Sequence, residues 1–312
     1  MPDIVITEFM DSAAVDALSK KFDVLYDPAL VDEPSRLAPA LANARSVIVR
    51  NRTMVNAQLL DHGPKLKVVG RLGVGLDNID LGECAKRSIE VIPASGANAR
   101  AVAEYVIGTA LILLRGAFAA SNQVANGQWP RVALSNGLET NGRVLGLIGF
   151  GAIGQLVALL ARPLGFQIAV YDPMVGAKSS VFKTHDARCH ESIDDLLANA
   201  DVVSPHIPLT DQTRGLFNQV RIANMKKGAV LINTARGEIV DENAAIAALQ
   251  SGHLRGVALD VFAQEPVPQG VFEQNIPGLI LTPHIAGLTK EANERVSTLI
   301  AQRVSEFLEK QT

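Results

Sequence analysis

Cysteine is nearly absent from this chain of 312 residues: Cys84 and Cys189 are the only two. They lack any metal-ligand spacing, so no metal site is expected, and reduced structural thiols are the natural reading. Excess basic charge is also missing. Net charge is -3 with no Lys/Arg run, which excludes a basic field for nucleic acid or a membrane surface. The longest apolar run, Tyr105 to Leu114, is too short to span a bilayer. No basic segment followed by an apolar signal region opens the sequence, and no repeat or low-complexity tract interrupts it. A cytoplasmic protein is expected. Hydrophobic residues at 48% and charged residues at 20% suit a large buried core, and the length suits about two domains.

The most informative stretch is Arg143 to Gly154, which reads as strand, glycine turn and helix. The turn spells G-x-G-x-x-G as Gly149, Gly151 and Gly154. Ile153, Leu156, Val157, Leu160, Ala161 and Leu164 then recur at helical spacing. A second strand, Ile168 to Asp172, ends in an acid 18 residues past Gly154. Gly149 permits the tight turn, Gly151 lets backbone approach a pyrophosphate, and Gly154 lets helix pack close to strand. The phosphates would meet free N–H groups and the positive end of the helix dipole. Asp172 could accept from both ribose hydroxyls and would repel a 2'-phosphate, which predicts NAD rather than NADP. A glycine-rich turn without a ligand is the alternative, and the flanking elements weigh against it.

Upstream, β-branched runs at Asp3 to Thr7, Phe22 to Asp27, Ser46 to Arg50, Leu66 to Leu72 and Glu90 to Pro93 alternate with helical patterns. That alternation argues a parallel sheet covered by helices. One long helical pattern runs from Ala99 to about Gln128, apolar on more than one face, and Trp129-Pro130-Arg131 is expected to end it. Four strands follow the first two of the nucleotide domain, at Asp201 to His206, Ala229 to Ala235, Gly256 to Val261 and Leu279 to His284, giving an expected total of six. Leu288 to Thr312 carries Val296, Leu299, Ile300, Val304, Phe307 and Leu308 on one stripe. This last helix should return to the first domain. The expected architecture is α/β: a Rossmann-type domain over 99–287 with a dimerisation helix, and a flavodoxin-like substrate domain over 1–98 and 288–312, hinged over a cleft.

Three polar residues stand at the ends of late strands: Arg236, Glu265 and His284. Hydride transfer between NAD and a hydroxy acid needs a cation for the carboxylate and a group that exchanges a proton near neutral pH. Arg236 fits the first role through a bidentate contact. His284 fits the second, with Glu265 beside it favouring the imidazolium. Each alone also fits a blander reading, as surface cation, loop carboxylate and satisfied histidine. His62, His185, His190 and His253 sit in polar stretches and are expected to be solvated, whereas His206, at a strand end, should shape the site.

Taken together, Gly73-Val74-Gly75-Leu76-Asp77-Asn78, the glycine turn, His206-Ile207-Pro208-Leu209-Thr210, Asn233-Thr234-Ala235-Arg236-Gly237, Ala258 to Phe262, Glu265-Pro266 and Thr282 to Gly287 closely resemble the D-isomer-specific 2-hydroxyacid dehydrogenase family. The resemblance covers essentially the whole chain. It implies that Arg236 binds substrate, that His284 is the general acid/base paired with Glu265, and that Asp260 holds the nicotinamide carboxamide. It implies further cofactor contacts from Ala152, Ile153, His206, Ile207, Pro208, Thr213, Thr234, Ala235, Ala286 and Gly287, with Arg236 and His284 also near the nicotinamide. Backbone amides of Val74 and Gly75 would receive the substrate carboxylate, and the helix after Ala99 would form a homodimer. Glu265 argues against formate as substrate, because the similar formate dehydrogenases carry Gln there.

For the substrate, Arg50 and Arg52 flank Asn51 in a loop that by resemblance lies over it, and Arg131 could reach a neighbour's site. A second anionic group on the hydroxy acid is the expectation. Those segments resemble the (S)-sulfolactate dehydrogenase branch, with 3-phosphoglycerate dehydrogenase close behind. The alternatives are solvated arginines in a glyoxylate or hydroxypyruvate reductase, or an NAD-sensing corepressor-like binding protein that keeps the same triplet.

Overall fold

The computed structural model describes residues 2–176, 179–273 and 276–311. The chain divides into two compact units, Met1–Asn98 with Leu288–Thr312, and Ala99–Gly287.

The first unit is built on five parallel strands, β1 (Ile4–Ile6), β2 (Val24–Tyr26), β3 (Ser46–Val49), β4 (Val68–Arg71) and β5 (Glu90–Pro93). Their order is β2-β1-β3-β4-β5, the flavodoxin-like order. Side chains alternate between the two faces, as the period of 2 requires. Ile4, Ile6, Ile48 and Val68 enter one core layer, while Val5, Val47, Val49 and Val69 enter the other. Helix Ser12–Ser19 and the terminal helix Lys290–Glu309 cover the first face. Val296, Ile300, Val304 and Leu308 form the buried stripe of that terminal helix, and truncating one to Ala removes roughly 2–5 kcal/mol. The caps are local and legible: Asp11, Asn56, Asp80 and Thr289 each accept from a first-turn N–H.

Among its described residues the second unit holds seven parallel strands: β6 (Val144–Ile148), β7 (Gln167–Tyr171), β8 (Ala187–Cys189), β9 (Val202–Pro205), β10 (Ala229–Asn233), β11 (Leu254–Leu259) and β12 (Leu279–Leu281). Their order is β12-β11-β10-β9-β6-β7-β8. Counted from β6, this is the Rossmann order 3-2-1-4-5-6 with one further strand outside it. The expectation of six strands is therefore corrected to seven. The overlooked β8 is a three-residue edge strand with an exposed arginine at its centre, too short and polar to show a period.

The helix after Ala99 also needs correction. It runs only to Arg115 rather than to about residue 128. Gly116 adopts φ 68°, a 3-10 turn follows at Ala117–Ala120, and a short helix Ser121–Ala125 completes the segment well before Trp129. Arg255 donates to the Leu113 and Leu114 carbonyls at 3.3 and 3.2 Å, satisfying the end that the break exposes. Helix Ala99–Arg115 packs Val102, Val106, Ala110, Leu113 and Leu114 into the core beside helix Ala152–Ala161. Leu111, Ile112, Phe118, Val124, Trp129 and Val132 stay exposed. Among the described residues, no single helix is long and apolar enough to cross a membrane.

Three of the four histidines expected in solvent are not there. His190 is buried, with Nδ1 2.6 Å from Asp195 Oδ2. His185 is half-buried, bonded to the Val181 carbonyl and edge-on to Phe150, and half-buried His253 contacts the Ile222 carbonyl. His62 alone of the four is exposed. His185 and His190 are held by partners four and five residues away and His253 by one 31 residues away, bonds that the polarity of the neighbouring sequence does not reveal.

Candidate active site

Parallel strands deliver their carboxyl ends to one edge, and the order reverses between β6 and β9. That switch point is where an open α/β sheet leaves a crevice. The glycine turn lies there. Gly149 has φ 94°, a conformation that disfavours a side chain, and a Cβ on it would come 2.5 Å from the His206 carbonyl oxygen at the end of β9. A Cβ on Gly154 would come 2.4 Å from the Gly149 carbonyl oxygen, so helix and strand close together only without one. Gly151 is different: a Cβ there would meet nothing within 4 Å. No side chain caps the helix that begins at Ala152 and Ile153, which leaves its first N–H groups available to an anion.

These features fit a dinucleotide, and so do two orphans. His206 Nε2 and Thr234 Oγ1 are buried without a hydrogen-bond partner, a state that calls for a ligand or another explanation. Burial pushes the His206 imidazole down to about 4, so it is neutral at physiological pH. Asp172, just past β7, accepts from Phe150 N at 2.7 Å and from Met174 N at 2.8 Å, which locks its carboxylate beside the turn. Ile207 packs against the core and Pro208 is exposed. The Thr213 hydroxyl donates to the Pro208 carbonyl at 2.7 Å and so braces that loop from within.

Late strands bring the polar triplet to the same edge. Glu265 Oε2 lies 2.8 Å from His284 Nδ1, and Glu265 Oε1 accepts from Phe262 N at 2.9 Å. A carboxylate on Nδ1 keeps the proton there in the neutral ring, leaving Nε2 for a substrate oxygen. His284 itself takes φ 55°, unusual for a residue with a side chain. What over-determines this turn is Asp260, which is 1% exposed. Its carbonyl accepts from His284 N at 2.8 Å, Oδ1 from Thr282 Oγ1 at 2.6 Å and Ile285 N at 2.8 Å, and Oδ2 from Ala286 N at 2.8 Å. The Thr282 hydroxyl in turn meets Tyr105 OH at 2.6 Å, and since Thr282 donates to Asp260, Tyr105 is the donor. Gly287 follows, half-buried.

Arg236 leaves β10 half-buried, with Nη1 2.5 Å from the Ala235 carbonyl. Asn233 anchors that corner by donating to the Arg236 carbonyl at 2.8 Å and accepting from Ala235 N at 3.1 Å. A Cβ on Gly237 would fall 1.9 Å from the Phe262 carbonyl carbon, so the arginine corner packs directly on the segment leading to Glu265. Tyr105, Thr282 and Asn233 carry parts of this arrangement that sequence reasoning did not single out. Thr282 and Asn233 stand within recognisable motifs, whereas nothing in the sequence marks Tyr105.

In the first unit, Val74 is exposed and Gly75 half-buried after β4. Asn51 and Arg52 lie exposed on the loop after β3, and Arg52 is paired with Asp32. Arg50 donates to Asn293 Oδ1 at 2.6 Å and lies 5.8 Å from the Phe9 ring centroid. Glu8, 4% exposed, was not singled out in the sequence reading. It sits just past the carboxyl end of β1, the same position that singled out the others. Arg131 is exposed in the turn after Trp129. Among the described residues no cluster of three or more His, Cys, Asp or Glu side chains could hold a metal.

Comparison with known proteins agrees with this chemistry. Residues 107–286 match the family described as D-isomer specific 2-hydroxyacid dehydrogenase, NAD binding domain. An (S)-sulfolactate dehydrogenase of Chromohalobacter salexigens is 47% identical over 308 residues, 99% of this chain and 99% of that protein. A D-3-phosphoglycerate dehydrogenase of Mycobacterium bovis is 36% identical over 97% of this chain, which spans 56% of that longer protein. The crystal structure of D-lactate dehydrogenase from Aquifex aeolicus, complexed with NAD and lactic acid, superposes with TM-score 0.86 at 28% identity, covering 98% of this chain and 96% of that one. The chain thus belongs to the D-isomer specific 2-hydroxyacid dehydrogenase family, as an NAD-dependent enzyme that moves hydride between a 2-hydroxy acid and its 2-oxo acid.

Proposed function

We propose that the substrate is a 2-hydroxy acid, or the matching 2-oxo acid, with a second anionic group of the sulfonate or phosphate kind. Arg236 holds the substrate carboxylate and polarises the carbonyl. His284 Nε2 gives a proton to the carbonyl oxygen in reduction and takes it back in oxidation, with Glu265 stabilising the imidazolium between. When bound, NAD would supply the hydride acceptor for oxidation, and NADH the hydride donor for reduction. Asp172 binds the ribose hydroxyls, Gly149 to Gly154 the pyrophosphate, and Asp260 the carboxamide. Residues 99–287 serve the cofactor, while 1–98 with 288–312 serve the substrate through Asn51, Arg52 and the amides of Val74 and Gly75. The carrying observation for the chemistry is the 2.8 Å contact of Glu265 with His284 on a turn hung from buried Asp260. For the second anion, the support is the pair of arginines on one short loop together with the 47% identity to a sulfolactate enzyme over nearly all of both chains.

A glyoxylate or hydroxypyruvate reductase is the second reading, favoured by the pairing of Arg52 with Asp32. A homodimer built on the exposed apolar residues Leu111, Ile112, Phe118 and Trp129, with Arg131 reaching the neighbouring site, completes the proposal. A reducing, cytoplasmic setting suits the free thiols of Cys84 and Cys189. A screen of 2-oxo acids with NADH is the test. Sulfopyruvate or phosphohydroxypyruvate should exceed glyoxylate and pyruvate in kcat/KM by about tenfold or more, as a charge-assisted contact would give. Equal turnover of the small acids refutes the second anion. His284→Ala should cut turnover by roughly 10²- to 10⁴-fold with NADH affinity retained, and undiminished turnover refutes its acid/base role.

A further inference from the structure

The loop after β3 is held in an unusual way. Four consecutive backbone N–H groups converge on one side chain from 42 to 45 residues earlier: Arg50 N and Thr53 N donate to Glu8 Oε1, each at 2.9 Å, while Asn51 N and Arg52 N donate to Oε2 at 3.3 and 3.1 Å. From the other side, Asn78 Nδ2 donates to the carbonyls of Arg50 at 3.3 Å and Thr53 at 2.7 Å. The hydroxyls of Thr7 and Thr53, 2.8 Å apart, close the end of the loop. Burial of Glu8 works against its charge, but the N–H groups of Thr53, Arg50 and Arg52 outweigh it and hold the carboxyl below its ordinary value. The carboxylate therefore occupies a backbone nest of the kind that otherwise binds a free anion.

With its backbone turned in toward Glu8, the loop directs Arg50 and Arg52 outward. Arg50 lies between Phe9 and Asn293, and Arg52 against Asp32. Arg50, Asn51 and Arg52 line a depression of ≈ 400 Å³ together with Phe9, Pro28 and Asn293. From this geometry we infer that Glu8 is the positioning residue that sets selectivity for the second anionic group of the substrate. The inference rests on the function proposed above. Long arginines on a floppy loop would pay ordering entropy on each binding event, and the clasp removes that cost in advance. A glutamine at position 8 can accept at one oxygen only, and its NH₂ would face N–H donors, so the nest opens.

The test measures kcat and KM for sulfopyruvate and for glyoxylate, with NADH affinity by fluorescence, in the wild-type chain, Glu8→Gln and Glu8→Asp. In Glu8→Gln the sulfopyruvate-to-glyoxylate ratio of kcat/KM should fall about tenfold, through a raised KM for sulfopyruvate, because pre-organisation chiefly benefits the group the arginines hold. Glu8→Asp keeps the charge but is one methylene short, and should recover part of the ratio. A merely structural glutamate would lower both substrates together, and an unmoved ratio overturns the inference. If Glu8→Gln does not fold, hydrogen exchange of the amides of residues 50 to 53 in Glu8→Asp takes its place. Faster exchange with a lower ratio supports the inference, and any result that leaves the ratio at the wild-type value overturns it. A wild-type ratio near one refutes the second-anion reading and this inference with it. A high wild-type ratio that both variants keep refutes this inference alone.

Discussion

Replacing Gly151 with alanine separates cofactor binding from folding. Gly151 sits at φ -73° and ψ -161°, a conformation open to any residue, and the added methyl meets nothing within 4 Å. Alanine is a poorer helix N-cap than glycine by roughly 0.5–1 kcal/mol. Loss of chain entropy in the unfolded state offsets about 0.4–1 kcal/mol of that. Stability should therefore change by less than about 1 kcal/mol, a shift of no more than about 4 °C in a domain of this size. The cofactor suffers far more. The methyl occupies the space where backbone approaches the pyrophosphate, and pushing the phosphate off one charge-assisted N–H contact costs about 1.5–3 kcal/mol. NADH affinity should weaken by about 10- to 160-fold. Fluorescence titration and a thermal melt on the same sample decide the matter. Undiminished NADH binding with an unchanged melt would refute the role assigned to the turn. Gly154→Ala is the contrast, since its methyl would press to 2.4 Å on the Gly149 carbonyl oxygen and must lower the melting temperature as well.

Two further outcomes follow from buried polar groups. His206 is held neutral, its pKa lowered by burial from 6.5 to about 4, so on acidification the unfolded chain takes up this proton first. Stability should fall between pH 6.5 and about 4 by a His206 contribution of order 2 kcal/mol, so in urea titrations the stability of wild type relative to His206→Gln should drop by about that much over this range; a difference that does not change with pH refutes the assignment. Thr282→Val removes a donor from buried Asp260 and one partner from Tyr105 OH, so the chain should lose roughly 1–3 kcal/mol in denaturant melts with turnover reduced alongside. An unchanged stability would show that the Tyr105-Thr282-Asp260 chain holds nothing in place.

Strands, glycine turn and caps are properties of neighbours along the chain, which is why they were legible. The alternation of Ile4, Val5 and Ile6 is settled by the two faces of a strand, and the spacing of Gly149, Gly151 and Gly154 by the geometry of one turn. The sequence placed Arg236, Glu265 and His284 after late strands, and they do follow the carboxyl ends of β10, β11 and β12, the edge where a parallel sheet meets its ligand. Break points were less visible: one glycine at φ 68° ends the helix at Arg115 while the apolar spacing runs on past it. Tertiary structure alone decided the rest. The edge strand Ala187–Cys189 exists because β7 offers it a partner. His190 is dry because Asp195 meets it, and His284 holds a positive φ because Asp260 ties down its turn. Glu8 is tied to the loop after β3 only because the fold brings four amides from residues 50 to 53 onto its carboxylate. The Glu8 and Asp260 contacts pair residues tens of positions apart, and no local period or spacing encodes which buried carboxylate will meet which loop.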